Sequence, residues 1–223
     1  MLQPIRRPIR CDENGLNMNI EKLLEILSSM SRRMTAEKDF LSELDNAIGD
    51  GDHGINMARG FSAVENKIPE FAGKDMGAIL KTTGMTLVST VGGSAGPLYG
   101  TAFMRAGMVM NGKNEMTLDD FIACLKAGIE GVMARGKAVQ GEKTMLDAMI
   151  PALAAIEKAR DDGASARAAI EAGVSAAMDG VEYTKTIVAT KGRAYYVGER
   201  SIGHQDPGAT SFTDLLDVVV KAL

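Results

Sequence analysis

Residues 19–34 read NIEKLLEILSSMSRRM. Their apolar side chains recur at spacings of three and four, at Ile20, Leu23, Leu24, Leu27, Met30 and Met34. That spacing is the period of an α-helix with one apolar face, which has to be buried against other elements. The stretch therefore predicts an amphipathic helix, and the segments around it decide whether the whole chain is helical.

The same period recurs along the rest of the sequence. We expect a second helix, capped by Thr35, to end before the loop GDGDHG at residues 49–54. Thr117 and Asp120 have the spacing of a capping box at the start of a later helix. Further helices are predicted at residues 55–64, 75–91, 97–110, 117–136, 144–160, 165–190 and 209–223.

No segment has a convincing strand pattern, and the short connections favour antiparallel neighbours. The 25 glycines are more than a helical protein normally contains, so they should lie between helices or where helices pack closely. We predict an all-α fold, a single-domain antiparallel bundle of about eight amphipathic helices. The domain should cover residues 19–223, with residues 1–18 as a tail outside it.

Composition excludes several classes of protein. Hydrophobic residues make up 45% of the chain and charged residues 24%, as in a globular domain. The 25 basic and 29 acidic residues give a net charge of −4, which offers no basic surface for nucleic acid. Cys11 and Cys124 are too few for a disulfide framework, so we expect a cytoplasmic protein. Gly, Pro, Ser and Thr interrupt the uncharged stretch 82–104, which predicts a buried helix running into a glycine-rich loop rather than a membrane span.

An acidic cluster surrounds the loop after the second helix. Asp45 should lie in the last turn of that helix, while Asp50 and Asp52, two residues apart in an extended loop, point the same way. Converging carboxylates repel one another unless a cation neutralises them, and ligands that are all oxygen favour Mg²⁺ or Ca²⁺. A calcium-binding EF-hand loop does not fit, because Ile55 stands where that loop needs Gly. We predict a Mg²⁺ site; the alternative is an acidic turn that only joins two helices.

Two residues beside this cluster suit an anionic ligand. His53 could accept a phosphoryl group, hydrogen-bond a phosphate or orient a carboxylate, or it could simply be solvated. Asn56 lies one turn into the next predicted helix, where it could join the free amides of the helix N-terminus in holding an anion. Considered alone, Asn56 would be a surface residue, so both assignments depend on the neighbouring loops.

Two glycine-rich segments further along also precede predicted helices. The segment VGGSAGP at residues 91–97 would present free amides to a phosphate, although tight helix packing is the simpler explanation for this segment alone. It is not a Walker A loop, because it lacks Gly-Lys-Ser/Thr, and no strand precedes it as in a dinucleotide-binding fingerprint. Downstream, Arg193 offers a guanidinium suited to phosphate, and Asp206-Pro207-Gly208 is a turn into the last helix. Together with the acidic cluster, these loops predict one phosphate-and-metal pocket at one end of the bundle.

Four motifs give the chain a specific resemblance. They lie in order at residues 44–54, 92–97, 141–145 and 198–209, and they read LDNAIGDGDHG, GGSAGP, GEKTM and GERSIGHQDPGA. With these motifs, residues 20–223 resemble the nucleotide-binding L subunit of bacterial dihydroxyacetone kinase. The resemblance implies a barrel of eight antiparallel helices with the nucleotide at one end.

The resemblance also implies roles for single residues. Asp45, Asp50 and Asp52 would be the catalytic residues and would hold two Mg²⁺ ions that bridge the phosphates of ADP or ATP. The residues expected to surround the nucleotide are His53, Gly54, Ile55, Asn56, Ser94, Ala95, Gly136, Met145, Arg193, Asp206, Pro207 and Gly208. Phosphoryl transfer needs positioning and charge neutralisation more than covalent help, and the acceptor belongs to another protein, so we assign no general base.

The partners implied by the resemblance are proteins. In that family the L subunit works with a K subunit, which binds dihydroxyacetone covalently through its own histidine. In many bacteria ADP stays bound and is rephosphorylated by a phosphoenolpyruvate-dependent phosphotransferase protein, and some L subunits also bind a transcription regulator. Single-chain relatives exchange ATP and tend to have Thr where this chain has His53, which favours the multi-subunit form. Neither direct nucleic-acid binding nor a membrane is implied.

Three other functions stay open at this point. Fatty acid kinase proteins share a related domain whose loop continues like Ile55-Asn56-Met57, but those chains carry further domains that 223 residues cannot hold. An ATP-exchanging kinase subunit for another short ketose, such as erythrulose, would have the same pocket, because the acceptor site lies elsewhere. A nucleotide-sensing helical module that docks on a regulator would need no turnover at all.

Overall fold

The amphipathic pattern produces nine α-helices in the computed structural model, which describes residues 16–223. They are α1 (Ile20–Ala36), α2 (Lys38–Ile48), α3 (His53–Glu65), α4 (Met76–Thr90), α5 (Ala95–Val109), α6 (Leu118–Gly136), α7 (Leu146–Asp161), α8 (Ala166–Thr184) and α9 (Pro207–Ala222). Two 3₁₀ helices cover Ile68–Phe71 and Arg193–Ser201, the second of them interrupted at Gly198. The predicted all-α fold is confirmed.

Eight of these helices close into a ring. Each packs on the next in the order α1, α3, α4, α5, α6, α7, α8 and α9, and α9 packs back on α1. This is the expected eight-helix barrel, and the short connections between successive helices are typical of antiparallel packing. Helix α2 stands outside the ring and packs on α3, α9 and the second 3₁₀ helix. The acidic loop between α2 and α3 therefore lies at one end of the barrel.

Glycine allows α4 and α5 to approach each other closely. A Cβ at Gly84 would lie 2.6 Å from the carbonyl oxygen of Gly100, and a Cβ at Gly100 would lie 2.7 Å from that of Gly84. Gly77 and Gly107 repeat the arrangement at 2.7 and 2.8 Å. No side chain fits between these backbones, so part of the high glycine content serves close helix packing, as predicted.

The interior of the ring is apolar. Its fully buried side chains include Met34 from α1, Met57 and Phe61 from α3, and Leu87 from α4. An apolar cavity of about 160 Å³ remains among residues of α1, α4, α5, α6 and α9. Burial of these apolar faces is the main contribution to the stability of such a barrel.

The helix ends test the capping predictions. Thr117 and Asp120 form the predicted capping box, with Asp120 N donating to Thr117 Oγ1 at 3.2 Å and Thr117 N donating to Asp120 Oδ2 at 3.1 Å. The predicted cap at Thr35 is wrong, because α1 continues through Ala36 and α2 follows with no side-chain cap. Helix α8 ends at Thr184 rather than at the predicted residue 190, and its last carbonyl accepts a hydrogen bond from the Lys143 ammonium.

The chain before α1 takes part in the fold. Met18–Asn19 (β1) pairs antiparallel with Glu115–Met116 (β2), the one sheet within residues 16–223. Leu16 and Met18 are buried in the core, where their apolar side chains are shielded from water. Packing therefore already includes Leu16, three residues before the predicted boundary at Asn19. Residues 1–15, with Cys11, lie outside the described residues.

From residue 16 onward, no helix combines the length and the apolar character needed to cross a membrane. The uncharged stretch 82–104 falls into α4, the glycine-rich loop after it and α5. That division matches the prediction of a helix running into a glycine-rich loop.

Candidate functional site

Loops at one end of the barrel surround a cavity of about 460 Å³. Its walls come from the loop between α2 and α3, the loop before α5, the end of α6, and the first residues of α7 and α9. The predicted residues that line it are Asp45, Asp50, Asp52, His53, Asn56, Ser94, Ala95, Gly136, Met145, Arg193, Asp206, Pro207 and Gly208. The fold thus brings together loops that are far apart in the sequence.

The three aspartates converge on one point of this cavity. One carboxylate oxygen from each of Asp45, Asp50 and Asp52 lies within 4.8 Å of the other two. Asp45, in the last turn of α2, is held by the backbone: Asp52 N and His53 N donate to its Oδ2 at 2.9 and 3.1 Å. Burial raises the pKa of Asp45, the two backbone hydrogen bonds oppose this, and the neighbouring acidic charges raise it further. A cation at this point would relieve the repulsion.

The donor set fits Mg²⁺. All of the ligand atoms in the cluster are carboxylate oxygens, the hard ligands that Mg²⁺ prefers, and few enough to leave positions for phosphate oxygens and water. Arg193 Nε lies 2.9 Å from Asp50 Oδ2 in an ion pair, which neutralises part of the negative charge. Since the Arg193 side chain is largely exposed, this ion pair is screened by solvent and leaves room for a stronger counter-charge.

His53 is the first residue of α3, and its ring contacts a second helix. His53 Nε2 lies 2.9 Å from Ser211 Oγ, a fully buried hydroxyl on α9. Burial lowers the pKa of His53 to about 4, although the charge of Asp52 opposes the change. The imidazole is therefore neutral near neutral pH. Ser211 could not be predicted from the sequence, because no local pattern links α9 to the acidic loop.

Asn56 and the glycine-rich loop 91–97 meet in the cavity wall. Arg59 Nη2 donates to Asn56 Oδ1 at 2.6 Å, which fixes the orientation of the amide. A Cβ at Gly92 would lie 2.8 Å from the same amide oxygen, whereas a Cβ at Gly96 would lie 2.3 Å from the carbonyl oxygen of Val91. Gly92 therefore lies at the cavity, whereas Gly96 serves close packing, and phosphate binding by this loop stays a prediction.

Lys143 also lines the cavity, although the motif GEKTM at residues 141–145 predicted no role for it. It is buried and adopts a positive φ of 59°, which is rare for a residue with a side chain. Its ammonium donates to the backbone carbonyls of Thr184 and His204. Lys143 thereby links both ends of the loop after α8 to the segment before α7. Arg193 lies in the loop after α8.

Asp206 caps α9 at the far side of the cavity. Its Oδ2 accepts from Ala209 N at 2.7 Å, and its own N–H donates to Thr184 Oγ1 at 3.0 Å. Burial raises the pKa of Asp206 to about 7, the Ala209 N–H opposes this, and the charge of Asp147 raises it further. Asp206 is therefore partly protonated near neutral pH, when it could donate as well as accept a hydrogen bond.

Gly54 and Ile55 do not line the cavity among the described residues. Gly54 faces α2 instead, where a Cβ would lie 1.9 Å from the carbonyl oxygen of Lys38. The Ile55 side chain is half-exposed. A ligand could meet these two residues only through their backbone amides, which lie in the first turn of α3 and have no partner in the helix ladder.

Known proteins share this sequence pattern and fold. A family model described as the DAK2 domain matches residues 47–221. The chain belongs to the DAK2 domain family. The ADP-binding subunit DhaL of the PEP-dependent dihydroxyacetone kinase of Escherichia coli K12 is 42% identical over 93% of this chain and 99% of that subunit. The L-erythrulose 1-kinase of Mycolicibacterium smegmatis is 34% identical over 92% of this chain, which spans 35% of that enzyme.

A solved structure has the same architecture as this DAK2 domain. The dihydroxyacetone kinase of C. freundii, in complex with AMP-PNP and Mg²⁺, aligns with a TM-score of 0.71 at 20% identity. The alignment covers the whole of this chain and 38% of that one. At this level of identity the similarity establishes the barrel fold.

Proposed function

We propose that this chain is the Mg-nucleotide-binding subunit of a multi-subunit dihydroxyacetone kinase. It passes a phosphoryl group from bound nucleotide to dihydroxyacetone held on a separate K subunit, and a phosphotransferase-system protein recharges the bound ADP from phosphoenolpyruvate. The observation that carries this proposal is the trio of carboxylates, with oxygens within 4.8 Å of one another, in a cavity where several helices begin. Identity of 42% to an ADP-binding subunit supports it.

Asp45, Asp50 and Asp52 would hold the two Mg²⁺ ions. When bound, Mg²⁺ supplies neutralisation of the charge on the phosphate oxygens during transfer. The backbone N–H groups of Asp52 and His53 already fix the Asp45 carboxylate, so little reorganisation is needed when Mg²⁺ binds. Arg193, beside Asp50, adds a guanidinium donor for a phosphate oxygen.

Helix N-termini would hold the rest of the nucleotide. Ser94 and Ala95 begin α5 at the cavity, and Asp206-Pro207-Gly208 begins α9 there. The first N–H groups of a helix lack intrahelical partners and attract anions. Gly136 and Met145 close the cavity from α6 and from the residue before α7. We place no general base in the cavity, since the acceptor hydroxyl belongs to the partner.

The partners in this proposal are the K subunit and the phosphotransferase-system donor protein, in the cytoplasm, with a transcription regulator as a further candidate. A second acceptor, erythrulose, is supported by the 34% identity to L-erythrulose 1-kinase. The two acceptors differ only in the molecule that the partner presents, because the nucleotide cavity is the same for both.

A reconstituted transfer assay tests the proposal. The full chain is mixed with the K subunit and phosphotransferase proteins, from its own source organism and from the E. coli relative, and given phosphoenolpyruvate or ATP. We expect phosphorylated dihydroxyacetone to form with phosphoenolpyruvate once ADP is bound. Formation with ATP alone would indicate an ATP-exchanging subunit. A folded chain that supports transfer to neither ketose from either donor would contradict the proposal.

A further inference from the structure

A chain of buried hydroxyl groups lies behind the ring of His53. His53 Nε2 is 2.9 Å from Ser211 Oγ, and Ser211 Oγ is 2.7 Å from the phenol oxygen of Tyr99. Ser211 is fully buried on α9, and Tyr99 on α5 is 3% exposed. Three helices therefore meet in one line of hydrogen-bonding groups that the proposed mechanism does not otherwise use.

The direction of these hydrogen bonds follows from the groups involved. Burial raises the pKa of Tyr99 well above its usual range, so the phenol keeps its proton. The acceptors within its reach are Ser211 Oγ at 2.7 Å and the Gly208 carbonyl at 3.3 Å, and the shorter contact is to Ser211. When Ser211 Oγ accepts a hydrogen bond from Tyr99, its own proton is still available for donation. The acceptors within reach of that proton are His53 Nε2 at 2.9 Å and the Gly208 carbonyl at 3.1 Å, and the shorter contact is to the ring.

The other ring nitrogen, Nδ1, forms no hydrogen bond with residues 16–223. His53 lines the cavity beside the three carboxylates, so Nδ1 is the nitrogen left to meet a ligand there. In water the Nε2–H tautomer is the more populated, so a protein that needs the other form has to enforce it.

We propose that Ser211 and Tyr99 are positioning residues that fix the tautomer of His53. The Tyr99 phenol donates to Ser211 Oγ, Ser211 Oγ–H donates to His53 Nε2, and the ring proton lies on Nδ1. His53 then presents an N–H donor to an anionic group in the cavity, such as a phosphate oxygen. The identity of that ligand rests on the proposed function, whereas the tautomer does not.

Histidine-selective ¹⁵N NMR measures the tautomer directly. The chain contains only two histidines, His53 and the exposed His204, so the second serves as an internal reference. Spectra of the full chain, as purified and after addition of ADP and Mg²⁺, distinguish a protonated nitrogen from an unprotonated one. We expect Nδ1 of His53 to be protonated and Nε2 unprotonated in both samples. An Nε2–H tautomer or a doubly protonated ring would overturn the proposal.

Variants separate tautomer control from a purely structural role. Ser211→Ala should reverse the two ¹⁵N shifts of His53, because Nε2 loses its donor. Thr213→Val is the matched control, since it removes another buried hydroxyl of α9 that donates to the Ala209 carbonyl and should leave His53 unchanged. Tyr99→Phe should give a mixture of tautomers. If His53 keeps its proton on Nδ1 in the Ser211→Ala variant, the proposal is overturned. If that variant does not fold, the wild-type spectrum decides the proposal.

Added ADP and Mg²⁺ distinguish this proposal from the proposed function. A shift of the His53 signals on addition supports nucleotide binding, whichever tautomer is present. An Nδ1–H tautomer that does not respond to ADP would leave the hydroxyl chain correct and the proposed function wrong. A His53 ring that is protonated on Nε2 and responds to ADP would support the proposed function and overturn the hydroxyl chain.

Discussion

Replacing Asp52 by Asn is expected to abolish phosphoryl transfer and to leave the helical fold intact. The side chain keeps its size, and the backbone N–H of residue 52 still donates to Asp45 Oδ2, so the loop conformation persists. What is lost is one of three negative charges whose oxygens lie within 4.8 Å of one another. Removing a preorganised electrostatic group from an active site typically costs about 10²–10³-fold in rate.

The reconstituted assay measures this loss, and circular dichroism checks the fold. Asp50→Asn should behave similarly, although it also removes the negative charge that pairs with Arg193. Asp39→Asn is the matched control, because Asp39 is an exposed carboxylate on α2, pairs with Lys38 and lines neither of the two described cavities. Transfer at the wild-type rate by Asp52→Asn would show that the aspartate cluster is only a turn.

The second large effect is on stability, at Gly54. Gly54→Ala should destabilise the protein by about 2 kcal/mol, because the new Cβ would lie 1.9 Å from the Lys38 carbonyl oxygen and 2.8 Å from Ser42 N. Both are backbone atoms of α2, so the helices have to separate. For a chain of this size, such a change lowers the melting temperature by roughly 4–8 °C. Binding of Mg-ADP should weaken as well, since α3 carries His53 away from α9.

Gly128→Ala is the control for this substitution. Gly128 lies within α6, and a Cβ there would meet its nearest atoms at 3.5 Å, an ordinary contact. The helix propensity of Ala should then stabilise the protein by up to about 1 kcal/mol. Thermal unfolding of the two variants should thus give shifts of opposite sign. If Gly54→Ala melted at or above the wild-type temperature, the close packing of α2 on α3 would be wrong.

Local sequence signals predicted the features that depend on neighbours along the chain. The capping box of Thr117 and Asp120 follows from a three-residue spacing, and the structure contains both of its hydrogen bonds. Thr35 has the right residue type for a cap, but the chain around it is equally suited to helix, and α1 continues through it. Helix propensity alone does not decide whether a helix starts after Thr35 or continues through it, because tertiary packing fixes where a helix ends.

Contacts between distant segments could not be predicted in this way. Ser211 contacts His53, and Tyr99 contacts Ser211, only because the fold brings residues of α3, α5 and α9 together. Gly54 was expected at the ligand because of its motif, yet it faces α2, and no sequence pattern distinguishes a glycine at a ligand from one at a helix contact. Most of the residues that the motifs predicted line one cavity, whereas Gly54 packs against α2.

The most direct test of the account is to identify and quantify the nucleotide and Mg²⁺ released by acid from the desalted full chain. We expect about one ADP and about two Mg²⁺ per chain, or, if the nucleotide is lost during purification, the same stoichiometry after both are added back. Removal of Mg²⁺ with a chelator should release the nucleotide. A folded chain that carries no nucleotide and binds neither ADP nor ATP with Mg²⁺ would contradict the central claim that this cavity is a Mg-nucleotide site.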